Sequence, residues 1–201
     1  QASFSRHDQE AYYGLRNYDI IHQSFFGNLL FNSIFNNTTN KFKSGLNYTL
    51  DKYDENIDNQ NYIRTDKNIG MFFEWSHDDL EKLSWTAGIR LDFNNNIGTF
   101  FTPRLHLRYS FNPSTTIRLS SGSGRKAANI FAENQSLFAT NRRIIINKNN
   151  NSFYGLLPER AWNYGVSLNH NFKLFSKNST LTLDYYNTSF VNQVVVDYEK
   201  E

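Results

Sequence analysis

The stretch SWTAGIRLDFNNNIGTFFTPRLHLRYS, residues 84–110, decides the fold because its chemistry changes at every second residue. Trp85, Ala87, Ile89, Leu91 and Phe93 fall on one side of an extended chain; Thr86, Gly88, Arg90 and Asp92 fall on the other. After a turn at Asn94–Asn96 the rule resumes, with Phe101, Leu105, Leu107 and Tyr109 against Thr102, Arg104, His106 and Arg108. Successive side chains of a strand point to opposite faces, so this alternation predicts strands with one apolar and one polar face. Charges recur on the polar side. That combination predicts the wall of a membrane barrel with a wet interior.

Composition agrees. The chain has 201 residues, enough for one domain or part of a larger one, 39% hydrophobic residues and a mean hydropathy of −0.63. No window offers about 18 consecutive apolar residues, which excludes helical membrane spans but not barrel strands, which are only half apolar. Aromatics reach 16%, with 18 Phe and 12 Tyr, suiting strands and interfacial girdles. With no cysteine there is neither a disulfide scaffold nor a Cys-based metal site, and a net charge of +2 is too small to argue for nucleic acid, which is not expected as a partner. The chain opens at Gln1 with no signal peptide, and reads as a mature segment or a fragment.

Working outward from residues 84–110, alternation predicts eight strands. The first covers 19–35, with Phe25, Leu29, Phe31 and Phe35 on one face, blurred by Phe26, Leu30 and Ile34. The second, 41–52, follows a turn at 36–40; a polar loop then runs through Lys67, and the third strand covers 68–77. The fourth and fifth are the opening pair. Phe111-Asn112-Pro113-Ser114 reads as a tight turn. The sixth carries Ile117 and Leu119 before dissolving into SSGSG, and 125–158 reads as a long connection. The seventh and eighth are placed at 160–175 and 179–192. Loop lengths on this reading put both ends of the segment on the side of the long loops, as in an incomplete wall.

Energy decides which face would meet lipid. An Arg or Lys facing lipid at the midplane costs about 2–4 kcal/mol. Arg90, Arg104, Arg108, Arg118 and Lys173 must therefore face inward, where Asp51, Glu74, Asp92 and Asp184 can help neutralise them.

Local motifs go further. The run FTPRLHLRYSFNPSTTIRLSSGSGRKAANIFAEN at 101–134 resembles the central barrel segment of TonB-dependent outer-membrane receptors: Pro103-Arg104 in a strand, Gly122-Ser123-Gly124-Arg125 at the end of the next, then Glu133-Asn134. LPERAWNYGVSLNHNF at 157–172 resembles the family's strand that opens on Pro-Glu, here Pro158-Glu159. TLTLDYYNTSFVNQVVVDYE at 180–199 resembles the next hairpin arm, with Tyr185-Tyr186 and Asn192-Gln193. The wording is most similar to receptors of the Bacteroidetes type. The resemblance implies an all-β, antiparallel transmembrane barrel of about 22 strands with a plugged lumen, in the bacterial outer membrane. Residues 1–201 are then part of the barrel domain, without a recognisable plug or TonB box. It further implies outer-membrane lipid, the protein's own plug domain, the TonB complex and a small nutrient as partners. The nutrient could be a siderophore, haem, a corrinoid or an oligosaccharide.

Two groups of residues are candidate sites. Arg125, Lys126, Phe131, Arg142, Arg143 and Tyr154 lie in the long connection, where basic and aromatic groups could capture an anionic or conjugated ligand. The alternative is a solvated loop packing its own aromatics. Arg90, Asp92, Arg104, His106, Arg108 and Arg118 form a lumen row expected to bind the plug or pair across strands. The five histidines lack metal-ligand spacing, and no catalytic arrangement or cofactor motif is found. The reading is therefore a receptor that imports a scarce nutrient, not an enzyme. A complete eight-stranded barrel with a structural or adhesive role is the alternative.

Overall fold

A computed structural model describes residues 1–58, 60–139 and 156–195. Nine strands form one sheet in which each pairs antiparallel with its sequence neighbours: β1 (Ala2–Tyr13), β2 (Arg16–Phe35), β3 (Asn37–Ile57), β4 (Gln60–Asp78), β5 (Leu83–Asn94), β6 (Gly98–Asn112), β7 (Thr115–Lys126), β8 (Glu159–Leu174) and β9 (Lys177–Val191). Between β7 and β8 lie a single helical turn, α1 (Ile130–Glu133), and a 3-10 turn, Gln135–Ala139. The all-β wall expected from alternation is present.

The count differs by one strand, and the topology with it. β1 was not expected, and residues 53–67 are not a loop, since β3 runs to Ile57 and β4 starts at Gln60. The SSGSG segment does not end its strand either: Gly122 pairs with Asn163 and Lys126 with Glu159. With nine antiparallel strands β1 and β9 run in the same direction, and β1 starts midway along β2, Ala2 pairing with Gly27, while β9 ends at the outer rim with Val191 paired to Arg160. An eight-stranded closed barrel does not describe this sheet, because β1 and β9 have no pairing with each other.

The missed segments share a cause. Along β3 above Leu50, Lys52, Asp54 and Asn56 alternate with Tyr53, Glu55 and Ile57, so the period is two but neither face is purely apolar. β2, β3 and β4 have 20, 21 and 19 residues. At about 3.3 Å per residue and a tilt near 45°, such strands stand roughly 45 Å tall, against an apolar band of about 25 Å in outer-membrane barrels. Their upper thirds rise past the band, where no lipid selects one-sided apolarity. They rise on the side of the 127–158 connection, which identifies that side as the outer rim.

Register carries the alternation across the wall. Leu29, Leu46, Met71, Leu91 and Phe101 lie side by side on one face. Leu107, Leu119, Val166 and Tyr185 do so further along the chain. Asn47, Gly70 and Asp92 are neighbours on the opposite face. Two glycines there make room for rings: Phe72 lies over its pair partner Gly45, and Tyr186 over Gly165. A side chain at either position would meet ring atoms.

At the opposite rim the β4–β5 turn is built on one carboxylate. Asp79 Oδ1 accepts from the backbone N–H of Glu81 (2.9 Å), Lys82 (2.8 Å) and Leu83 (2.9 Å). These bonds, that from Leu83 foremost, hold its pKa below the usual carboxylate range. A folded-state pKa that is depressed contributes stability above the unfolded value and loses it as pH falls through the folded one. Protection of the Glu81–Leu83 amides, measured against their intrinsic exchange rates, should therefore persist at neutral pH and fall only in acid below the ordinary carboxylate range. In Asp79→Ala that protection should be lost at every pH; protection retained in the variant would contradict a turn held by this carboxylate.

Candidate functional site

The polar face of β3–β9 holds every residue of the sequence-derived lumen row. Arg90, Asp92, Arg104, His106, Arg108 and Arg118 all lie opposite the apolar residues of their strands. They are not equivalent.

Arg90 and Asp92 form a closed unit. Arg90 Nε donates to Asp92 Oδ2 at 2.6 Å and its Nη2 to Asp92 Oδ1 at 2.5 Å. A second bond from Nη2 reaches Asn47 Oδ1 at 2.9 Å, and Asn68 Nδ2 donates to Asp92 at 2.7 Å. Asp92 is only 2% exposed. The unit spans β3, β4 and β5, and Gly70 at its centre leaves the space it occupies. One step along, Arg104 reaches over Gly88 to Glu74, which Lys43 also approaches at 3.9 Å. Three of the row, Arg90, Asp92 and Arg104, are thus spent within the wall.

The other three differ. Arg108 and Arg118 are direct register partners on β6 and β7, and like charges in such positions repel. Arg108 has one long bond, to Ser110 Oγ at 3.4 Å. Among the described residues neither the Arg118 nor the His106 side chain has a hydrogen-bond or ion-pair partner. All three line a groove of about 620 Å³ that also includes Asp184 and Tyr186. Here the wall presents unspent positive charge. On β2 the same face carries Phe26, Leu30 and Ile34, the residues that blurred its alternation in the sequence.

The outer rim has a second cluster. Tyr18 donates to Glu55 Oε1 at 3.0 Å, and Arg64 Nη1 to Glu55 Oε2 at 3.0 Å; Glu55 is 0% exposed. The Arg64 guanidinium lies 3.7 Å from the Tyr53 ring centre, and His22 stacks on Tyr53 at 4.2 Å while bonding Asp51 at 3.0 Å. The start of the long connection folds onto this cluster. Phe138 stacks on Tyr18 (4.8 Å) and Tyr13 (5.0 Å), and Phe131 meets Tyr62 at 5.2 Å. Tyr18, Ile20, Ile57, Phe131 and Phe138 make the one apolar core found among the described residues.

Sequence reading did not find Tyr18, Tyr53, Glu55 and Arg64, because it placed most of them in a loop. The signal was present as polar alternation, in Tyr53-Glu55-Ile57 and Tyr62-Arg64-Asp66. Of the proposed capture residues, Phe131 is fully buried in this core and has no surface to offer a ligand. Lys126 is bonded to Glu133 (2.9 Å) and lies 3.3 Å from Glu159. Arg125 lays its guanidinium 5.6 Å from the Phe100 ring centre. Arg142, Arg143 and Tyr154 lie outside the described residues.

Truncating Phe131 to alanine removes a fully buried ring, a change that costs about 3–5 kcal/mol in packed cores. In the full-length protein it should release the Ile130–Ala139 segment, seen as faster amide exchange there and at Tyr18 and Tyr62. Unchanged protection would mean that the ring does not hold the segment down.

Comparison with known proteins agrees with this geometry. The family model described as TonB dependent receptor-like, beta-barrel, matches residues 1–200. No curated protein matches the sequence. Among solved structures, a mutant of the ferric enterobactin receptor PfeA from Pseudomonas aeruginosa superposes with a TM-score of 0.62 at 15% identity, covering 88% of this chain and 27% of that one. The siderophore receptor PirA from Pseudomonas aeruginosa gives 0.58 at 12% identity, covering 93% and 38%. The copper transporter OprC gives 0.55 at 14%, covering 79% and 28%. At such identities the likeness is one of fold, and the chain spans well under half the length of these proteins. By the family match over residues 1–200, this chain belongs to the TonB-dependent receptor β-barrel family, whose members are outer-membrane receptors and transporters and not enzymes.

Proposed function

We propose that this chain forms part of the barrel of a receptor that captures a scarce nutrient outside the cell and imports it into the periplasm. The observation that carries this reading is the two-faced meander itself. One face is apolar from β2 to β9; the other is polar, and its Arg108, Arg118 and His106 side chains lack carboxylate partners among the described residues. The apolar face meets outer-membrane lipid, and the polar face lines the lumen. Arg90, Asp92 and Arg104 brace the wall, whereas Arg108, Arg118 and the apolar Phe26, Leu30 and Ile34 contact the receptor's plug domain. Energy reaches that plug through TonB. Above it, the outer rim and the 127–158 connection, with Arg125, Lys126, Arg142, Arg143 and Tyr154, form the capture surface. The motif wording supports a parent receptor of the Bacteroidetes type.

Ferric siderophores, haem, corrinoids and oligosaccharides are the candidate nutrients. The test is deletion of the full-length gene, followed by growth on each as the sole source of iron, cobalamin or carbon. Loss of growth on one class, restored by the intact gene but not in a strain without TonB, is the expected result. Growth unaltered on every class, with no ligand-dependent uptake into liposomes holding the purified receptor, would overturn it.

A further inference from the structure

Register brings together two histidines that the chain keeps well apart. On the polar face, His7 of β1 is the direct partner of His22 of β2, and the same row continues through Tyr53 on β3 to Arg64 on β4. His77, His106 and His170 have no histidine as register partner. Direct partners on one face of a sheet have Cβ atoms about 4.5–5.5 Å apart. Two imidazole nitrogens on one transition ion, each about 2.0–2.1 Å from it, stand about 3 Å from each other. Rotation of the His7 side chain can close that difference, because His7 is exposed and its ring is held only at Gln9 among the described residues.

Each ring has one nitrogen engaged, with the same consequence. His22 Nε2 lies 3.0 Å from Asp51 Oδ1, and His7 Nε2 lies 3.2 Å from Gln9 Oε1. A carboxylate oxygen and an amide carbonyl oxygen only accept, so both Nε2 atoms carry the hydrogen. The lone pair of each neutral ring is left on Nδ1, which has no hydrogen bond to a described residue. A metal-binding histidine almost always donates its other N–H to a carboxylate or carbonyl, which fixes the tautomer and turns the ring. His22 is also held flat on the Tyr53 ring, with centres 4.2 Å apart and planes within 3°. In register order Tyr53 separates it from Arg64, which keeps that guanidinium one strand further off. Among the described residues no three histidine or acidic side chains converge, so the pair supplies two ligands and no third.

We propose that His7 and His22 form a two-imidazole site for a divalent transition ion, Cu²⁺ above all, on the polar face of β1 and β2. Imidazole suits copper, nickel and zinc, and affinity across this series peaks at Cu²⁺. Mg²⁺ and Ca²⁺, which take oxygen ligands, are not held. Two imidazoles fill only part of the coordination shell. The remaining positions are open to water or to the donor atoms of a small chelator that carries the ion.

The full-length receptor, purified in detergent and titrated with Cu²⁺ at neutral pH, tests this by electron paramagnetic resonance. Wild type should give a copper signal whose spin-echo modulation comes from two imidazoles. His7→Ala should lose that signal and bind the ion about a hundredfold more weakly, with amide protection of β1 and β2 as in wild type. His22→Phe, which keeps a ring on Tyr53 but has no lone pair, should do the same, and the double variant should bind no worse than either. Asp51→Ala should weaken binding about tenfold while both imidazoles still coordinate. His170→Ala should behave as wild type, and millimolar Mg²⁺ should not displace the copper. An unchanged two-imidazole signal in His7→Ala or in His22→Phe would overturn the site, as would a wild-type signal from a single imidazole.

Discussion

Replacing Asp92 by alanine is expected to weaken the assembled wall by about 3 kcal/mol, near the low end of the cost of breaking a buried ion pair. The carboxylate is almost wholly enclosed and accepts three charge-assisted or amide hydrogen bonds, from Arg90 twice and from Asn68. Its removal leaves the Arg90 guanidinium bonded only to Asn47. The loss is discounted because Arg90 keeps a third of its side chain exposed to the lumen side. The readout is the temperature at which the full-length receptor loses its compact, detergent-resistant form. Arg90→Ala alone should also lower it, and the double variant should lose less than the sum of the two. Strict additivity would mean that the pair does not act as a unit.

Glu55→Leu should have an effect of similar or larger size, confined to the outer rim. Glu55 is fully buried between the Tyr18 hydroxyl and Arg64, whose own side chain is 11% exposed. Removing one partner of such a pair costs about 3–5 kcal/mol, because the other charge stays buried. The β3–β4 hairpin should open and the Ile130–Ala139 segment should undock, with faster amide exchange from Ile57 to Arg64. The detergent-resistant form of the barrel should be unchanged, since the pair lies above the apolar band. Glu55→Leu combined with Arg64→Met should recover much of the protection, an apolar pair being close to neutral where an ion pair has been removed whole. Failure to recover would assign the stability of this corner to something other than the pair.

How far the sequence could be read follows from where each strand stands. β5, β6, β8 and β9 were placed within a few residues, because lipid on one side and water on the other impose a one-sided alternation. Arg90, Arg104, Arg108 and Arg118 were assigned to the inner face by the cost of the alternative, and register puts them on one face. β1 and the upper parts of β3 and β4 carry polar groups on both faces, so the apolar period vanishes although the strand period does not. The rim cluster was hidden for another reason. Phe131 and Phe138 find Tyr13, Tyr18 and Tyr62 across more than 65 residues of chain, and no local pattern encodes that meeting. An aromatic in a loop reads as a ligand contact until its partners are known.

A membrane wall requires that the two faces of β5 meet lipid and water respectively. This segment contains no cysteine, so single cysteines can be introduced one at a time from Trp85 to Phe93 in the full-length receptor and spin-labelled in liposomes. Labels at 85, 87, 89, 91 and 93 should be accessible to oxygen, which partitions into lipid, and protected from a water-soluble nickel complex. Labels at 86, 88, 90 and 92 should show the reverse, giving a period of two. Uniform accessibility to the nickel complex at all nine positions would contradict a membrane wall.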